Sequence, residues 1–256
     1  MHGLTATRRY VVMGSRLLAR SGLRVVAYDA RGHGSSAPAG DTRAYGYELL
    51  ERDLQAVLDG LGLSRVLLAG ASMGAHTALR FALAHPERVR ALCLITPAYD
   101  PAAPEDPAAL AAWDALARGL RTDGVEGFVR AYDLATVPAR WRTTVEQVLR
   151  QRLAAHEHPA AVADALEVVP RSRPFQSMGE LAGVAAPTVV VASRDDADPG
   201  HPLAVGERYA RAIPRARLVV EEEGSPIAWR GGALSGVILD LARGAQDAAG
   251  PPAQHT

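Results

Sequence analysis

The sequence predicts an α/β fold: a mainly parallel sheet with helices on both faces, interrupted by an all-helical insertion. Three observations carry this prediction. Apolar strand-like runs alternate with helix-period runs up to about residue 98. From 99 to 182 the period changes and no convincing strand remains. After 182 the strand–helix rhythm returns and lasts to about 244. Strands that alternate with helices need crossover connections, which produce parallel strands covered on both faces. The expected division is therefore a first part of the core at 1–98, a helical cap at 99–182, a second part of the core at 183–244 and a disordered tail at 245–256.

The elements follow in order. A helix is expected over 6–19, ending at Ser21-Gly22, and then a strand at 24–28, Arg-Val-Val-Ala-Tyr. The helix at 47–61 carries Leu49, Leu50, Leu54, Val57, Leu58 and Leu61 on one face. A strand at 65–69 leads into a turn and a helix that runs to His85-Pro86; the next strand is 89–95. In the insertion, helical periods cover 106–118, 123–134, 139–156 and 159–169, with Pro107 and Pro159 where helix starts tolerate proline. The second part of the core reads as strand 188–192, helix 202–213, strand 217–221 and helix 232–243. One parallel sheet is expected to take in 24–28, 65–69, 89–95, 188–192 and 217–221.

The chemistry-bearing stretch is Gly70-Ala71-Ser72-Met73-Gly74, between a strand and a helix. G-x-S-x-G in that setting is a nucleophile elbow, a turn too sharp for side chains at the two glycines. It raises a hydroxyl above the sheet at a helix N-terminus, where developing negative charge is stabilised. An ordinary small polar β–α turn is the bland alternative; the strand before and the helix after favour the elbow.

Composition bounds the rest. Of 256 residues, 48% are hydrophobic and 22% charged, which suits a soluble globular chain. The 28 basic and 28 acidic residues balance, so no net charge favours nucleic acid or an anionic membrane. Every basic residue is arginine, which excludes Schiff-base and Walker-type lysine chemistry. The single cysteine, Cys93, lies inside an apolar strand and reads as an inert core residue, consistent with a reducing, cytoplasmic setting. No cofactor is implied, and no Cys/His cluster has zinc spacing.

These pieces together resemble the α/β-hydrolase superfamily, in its cap-bearing branch of esterases, enol-lactonases and perhydrolases. The residues that carry the likeness are His2-Gly3, the loop from Tyr28 through Asp29-Ala30-Arg31-Gly32-His33-Gly34 to Ser35, the elbow, and Ser193-Arg194-Asp195-Asp196. The resemblance implies an oxyanion hole from the backbone amides of Leu4 and Met73. It implies structural roles for Arg31 and His33. It places the acid at Asp196, with Asp195 and Asp198 as rivals. It also implies a third strand between 24–28 and 65–69; without it, a slot about 10 Å wide, two strand spacings, would open in the sheet. The expectation is a truncated reading of a longer protein, or else direct closure of the two flanking strands.

The base departs from the pattern. The resemblance puts a histidine just after the last strand, where Glu223-Gly224-Ser225-Pro226 stands instead, so Ser225 occupies the expected position. His201, five residues after Asp196, is the fallback base, although it also reads as a surface histidine at a helix start. His76 reads as packing on the elbow helix, His85, His156 and His158 as solvent-facing, and His255 as part of the tail. The functional expectation is a serine hydrolase acting on an ester-type bond of a small molecule through an acyl-enzyme on Ser72. The alternative is a catalytically impaired member of the fold that binds a small molecule under its cap. Trp113, Phe128, Tyr132 and Trp141 read either as pocket lining or as cap core.

Overall fold

A computed structural model of the protein describes residues 1–194, 199–220 and 230–247. Four strands form one parallel sheet in the order β1 (Val66–Ala71), β2 (Val89–Ile95), β3 (Thr188–Ala192), β4 (Ala216–Val220). Alternation along β2 shows how both faces are covered. Leu92 and Leu94 face α2 (Tyr47–Gly60), α3 (Met73–Ala84) and α7 (Leu203–Ala212). Ala91, Cys93 and Ile95 face the opposite layer, with α1 (Leu17–Arg20) and α8 (Gly231–Asp247). Successive side chains of a strand point to opposite faces, so a strand buried on both faces is apolar throughout. Burial raises the Cys93 thiol to about 12, so it stays protonated and unreactive at neutral pH.

The insertion is helical: α4 (Pro107–Ala131), α5 (Ala139–Leu153) and α6 (Pro159–Val168). Asp123 and Gly124, the latter at φ 61°, break α4 into two limbs. The limbs approach so closely that a Cβ at Gly127 would stand 2.0 Å from the Gly119 carbonyl oxygen. Phe128 is buried in the insertion core, and Trp113, Tyr132 and Trp141 pack against it, which assigns these aromatics to structure. The same core reaches Leu4, Tyr47, Leu50 and Met73, so the insertion is seated over the elbow end of the sheet.

Two expectations fail near the start of the chain. Residues 6–19 are not one helix. A short 3-10 turn at Arg8–Tyr10 is cut off by Met13 and Gly14, both at positive φ, before α1 begins. Residues 24–28 do not join the sheet, because nothing bridges them to β1. A trough of about 390 Å³ separates the two, walled by Leu23 to Tyr28 on one side and Arg65 to Ala69 on the other. Direct closure of the flanking strands is thereby excluded, and Val25 and Val26 remain 48% and 42% exposed. At the head of the trough the terminal nitrogen of Met1 donates to the Ala69 carbonyl at 2.7 Å. Its carbonyl accepts from the Ala71 amide at 3.1 Å. These two bonds are one step of a parallel ladder along β1.

Candidate active site

Three chain crossings meet at the carboxyl ends of β1, β2 and β3, the place where parallel sheets present ligand sites. Ser72 follows β1 directly at φ 49°, ψ −113°, a conformation that costs a non-glycine residue of order 1–3 kcal/mol. Its amide donates to the Ile95 carbonyl at the end of β2, and its carbonyl accepts from Ala75 and His76, the first turn of α3. The surrounding glycines are required sterically. A Cβ at Gly70 would sit 2.1 Å from the Gly74 carbonyl oxygen, and one at Gly74 would sit 2.6 Å from the Met1 carbonyl. Gly3 is packed against Ser72 as well, its would-be Cβ 3.5 Å from the serine Cβ. The His2-Gly3-Leu4 segment therefore runs beside the nucleophile, and Met73 opens the helix behind it.

Histidines hold that segment. His2 Nε2 accepts from the Ala30 amide at 2.9 Å, so its proton is on Nδ1, facing the Gly3 carbonyl. Burial, then the neighbouring His33, pushes His2 well below its ordinary pKa and keeps it neutral. His33 places Nε2 2.7 Å from the Leu4 carbonyl and is likewise lowered by burial. His156 is buried rather than solvent-facing: Nδ1 accepts from the Gly34 amide at 2.9 Å and Nε2 faces the Thr5 carbonyl. Desolvation lowers it to about 4. His85 is half-buried beside Glu51 at 3.0 Å. The structural reading of Arg31 and His33 fits this geometry, since Arg31 makes two 2.6 Å bonds to Asp53 and one to the Ala44 carbonyl.

The structure brings two of the candidate residues together. His201 Nε2 lies 2.8 Å from Ser72 Oγ. His201 is half-buried and lies two residues before α7. Reading it as a surface histidine missed this tertiary approach; the only signal in the sequence was its place shortly after the strand that precedes the expected acid. Ser225, Asp195, Asp196, Asp198 and His255 lie outside the described residues. Sequence reasoning also missed the partners of His76, which is 4% exposed and bonded to Tyr47 and to the backbone of residues 98 and 99. Among the described residues, no helix is long and apolar enough to cross a membrane.

Comparison with known proteins agrees with this architecture. The chain is 33% identical over 210 residues to 2-hydroxy-6-oxononadienedioate/2-hydroxy-6-oxononatrienedioate hydrolase 2 of Pseudomonas putida, covering 79% of this chain and 70% of that protein. It is 31% identical over 181 residues to RutD of Variovorax paradoxus (strain S110), whose name proposes carbamate hydrolysis, covering 70% of this chain and 66% of that one. Its fold is similar to that of a thermophilic esterase from Thermogutta terrifontis, with a TM-score of 0.76 and 24% identity over 95% of this chain and 88% of the esterase. It is similar too to the enol-lactonase from Burkholderia xenovorans LB400, with a TM-score of 0.71 and 24% identity over 94% and 89% of the two chains. The family pattern of the alpha/beta hydrolase fold matches residues 1–228, and the chain belongs to that family.

Proposed function

We propose that the protein is a serine hydrolase that cleaves an ester-type bond of a small molecule through an acyl-enzyme on Ser72, with His201 as general base. The observation that carries this reading is the 2.8 Å contact between His201 Nε2 and a serine held at positive φ on a helix N-terminus. A serine hydroxyl is a weak nucleophile until a base within hydrogen-bond reach takes its proton. As Ser72 Oγ bonds to the substrate carbonyl carbon, its proton passes to His201 Nε2. The charge that builds on the carbonyl oxygen faces the backbone amides of Leu4 and Met73. Collapse of the tetrahedral species breaks the ester C–O bond, and the leaving alkoxide takes the proton from His201. Water then repeats the sequence on the acyl-enzyme and releases the acid. Asp196 keeps its proposed role as the acid that orients the base, from its position in sequence just after β3. The helical insertion is proposed as the cap over the site.

The impaired-member alternative rests on the absence of a histidine where the family resemblance expects one; the contact between His201 and Ser72 favours the active reading over it. The direct test is hydrolysis of an activated aryl ester by the wild type, Ser72→Ala and His201→Ala. Loss of roughly 10²-fold or more in kcat/KM in both variants is expected. Full activity in His201→Ala overturns the assignment of the base.

A further inference from the structure

His76 sits one helical turn beyond Ser72 on α3, is almost completely buried, and has no part in the chemistry just described. Its bonds define its form. Nε2 accepts from two backbone amides, Ala98 and Tyr99, each at 3.2 Å. A nitrogen facing two donors must carry the lone pair, so the ring proton is on Nδ1 and points at the Tyr47 hydroxyl oxygen, 3.0 Å away. Rings of Tyr47, Tyr99 and Tyr209 surround it, with centroids 5.6, 6.2 and 6.5 Å away.

The turn that His76 holds is itself bonded to α7. The Tyr209 hydroxyl donates to the Tyr99 carbonyl at 2.7 Å, and Arg208 Nη2 donates to Asp100 Oδ2 at 2.6 Å. Two residues before α7 stands His201, bonded back to Ser72. The contacts close a ring: Ser72 along α3 to His76, across to residues 98–100, across to Arg208 and Tyr209, along α7 to His201, and back to Ser72. Apart from the His201–Ser72 pair, every crossing in this ring is a protein–protein hydrogen bond or ion pair. A base that approaches from a loop before a helix is as well placed as that helix is. Misplacement of about 1 Å in such a pair can cost on the order of 10²-fold in rate.

We propose that His76 is a positioning residue for the Ser72–His201 pair: as a neutral double acceptor it fixes the 98–100 turn on the elbow helix, and that turn fixes α7 and the base it carries. The inference rests on His201 being the base. Burial, then the charge of His201 itself, lowers His76 to about 3, so the neutral acceptor persists through the range in which the base must cycle.

The test is a set of variants assayed on an activated aryl ester, each first checked for native thermal unfolding. His76→Leu removes both acceptor bonds, and kcat is expected to fall at least tenfold with KM within about twofold of the wild type. His76→Gln can present Oε1 to the same two amides and is expected to recover most of that loss. Tyr209→Phe, which deletes only the hydroxyl bond to the Tyr99 carbonyl, is expected to lower kcat a few-fold and serves if His76→Leu does not fold. The decisive arm is His76→Leu in a His201→Ala background. A residue that acts through the base adds no further loss there, since groups acting as a unit are not additive. An equal loss in both backgrounds, or unchanged kcat in the folded single variants, overturns the positioning role while leaving His201 as the base. Full activity in His201→Ala alone overturns the parent reading and this inference with it.

Discussion

Acidification is predicted to destabilise this protein above the carboxylate range, because His2, His33, His76 and His156 are buried and held below their ordinary pKa. Each has a folded pKa below the ordinary value near 6.5, chiefly through desolvation. Unfolding frees them to bind protons, so the unfolded chain takes up more protons than the folded one wherever the pH lies between the two values. The stability they contribute is full above about 6.5 and is lost as pH falls toward the folded values, about 4 for His156 and about 3 for His76. Going from pH 7 to pH 5, the fully enclosed His76 removes about 2 kcal/mol. The less enclosed His156 removes nearer to about 1 kcal/mol. His2 and His33 are lowered in the same direction and add to this loss, which is already a sizeable part of the 5–15 kcal/mol typical of a whole domain. Glu126 and Glu167, held below their ordinary range by bonds to Arg150 and Arg121, titrate under this window and do not mask it. Urea unfolding followed by near-ultraviolet circular dichroism at pH 7, 6 and 5 reads the effect directly. The midpoint should fall by about 1 M or more between pH 7 and 5. His156→Gln, which keeps an acceptor for the Gly34 amide, should shrink that fall. A midpoint unchanged to pH 5 would refute the assignment of these histidines as neutral core groups.

Two further outcomes follow from the geometry. Gly74→Ala forces a Cβ into the Met1 and His2 backbone, all at 2.8 Å or less, and should cost about 1–3 kcal/mol in stability together with most of the activity, read as Tm and kcat. Ser225→His, which would place an imidazole at the position the family resemblance expects, should leave kcat within about threefold if the proposed base is His201; a tenfold gain would contradict that assignment.

Much of this fold is legible locally, because period and punctuation report directly on burial. The four strands, α2, the elbow and the helical insertion all follow from runs of apolar residues at spacing 2 or 3.6 and from glycines whose Cβ positions are occupied by backbone. What the sequence hides is whatever depends on a distant neighbour. Residues 24–28 have strand composition, but a strand exists only against a partner, and among the described residues they have none. Residues 6–19 carry a helix-like apolar set, yet Met13 and Gly14 take positive φ and divide it. His156 reads as polar surface near a helix end until Gly34 and Thr5, both more than a hundred residues away in the chain, arrive as its partners. His201 is the sharpest case. Its distance from Asp196 along the chain is visible, but its approach to Ser72 is set by where α7 docks, through Tyr209 and Arg208 on residues 99 and 100.

The central claim, a serine activated by His201, is tested most directly by a fluorophosphonate probe, which reacts covalently with a serine only when its hydroxyl is activated. Intact mass and peptide mapping after labelling at pH 8 should show one adduct, on Ser72, formed at least about 10²-fold more slowly in His201→Ala. No adduct on Ser72, or labelling of His201→Ala at the wild-type rate, would contradict the account.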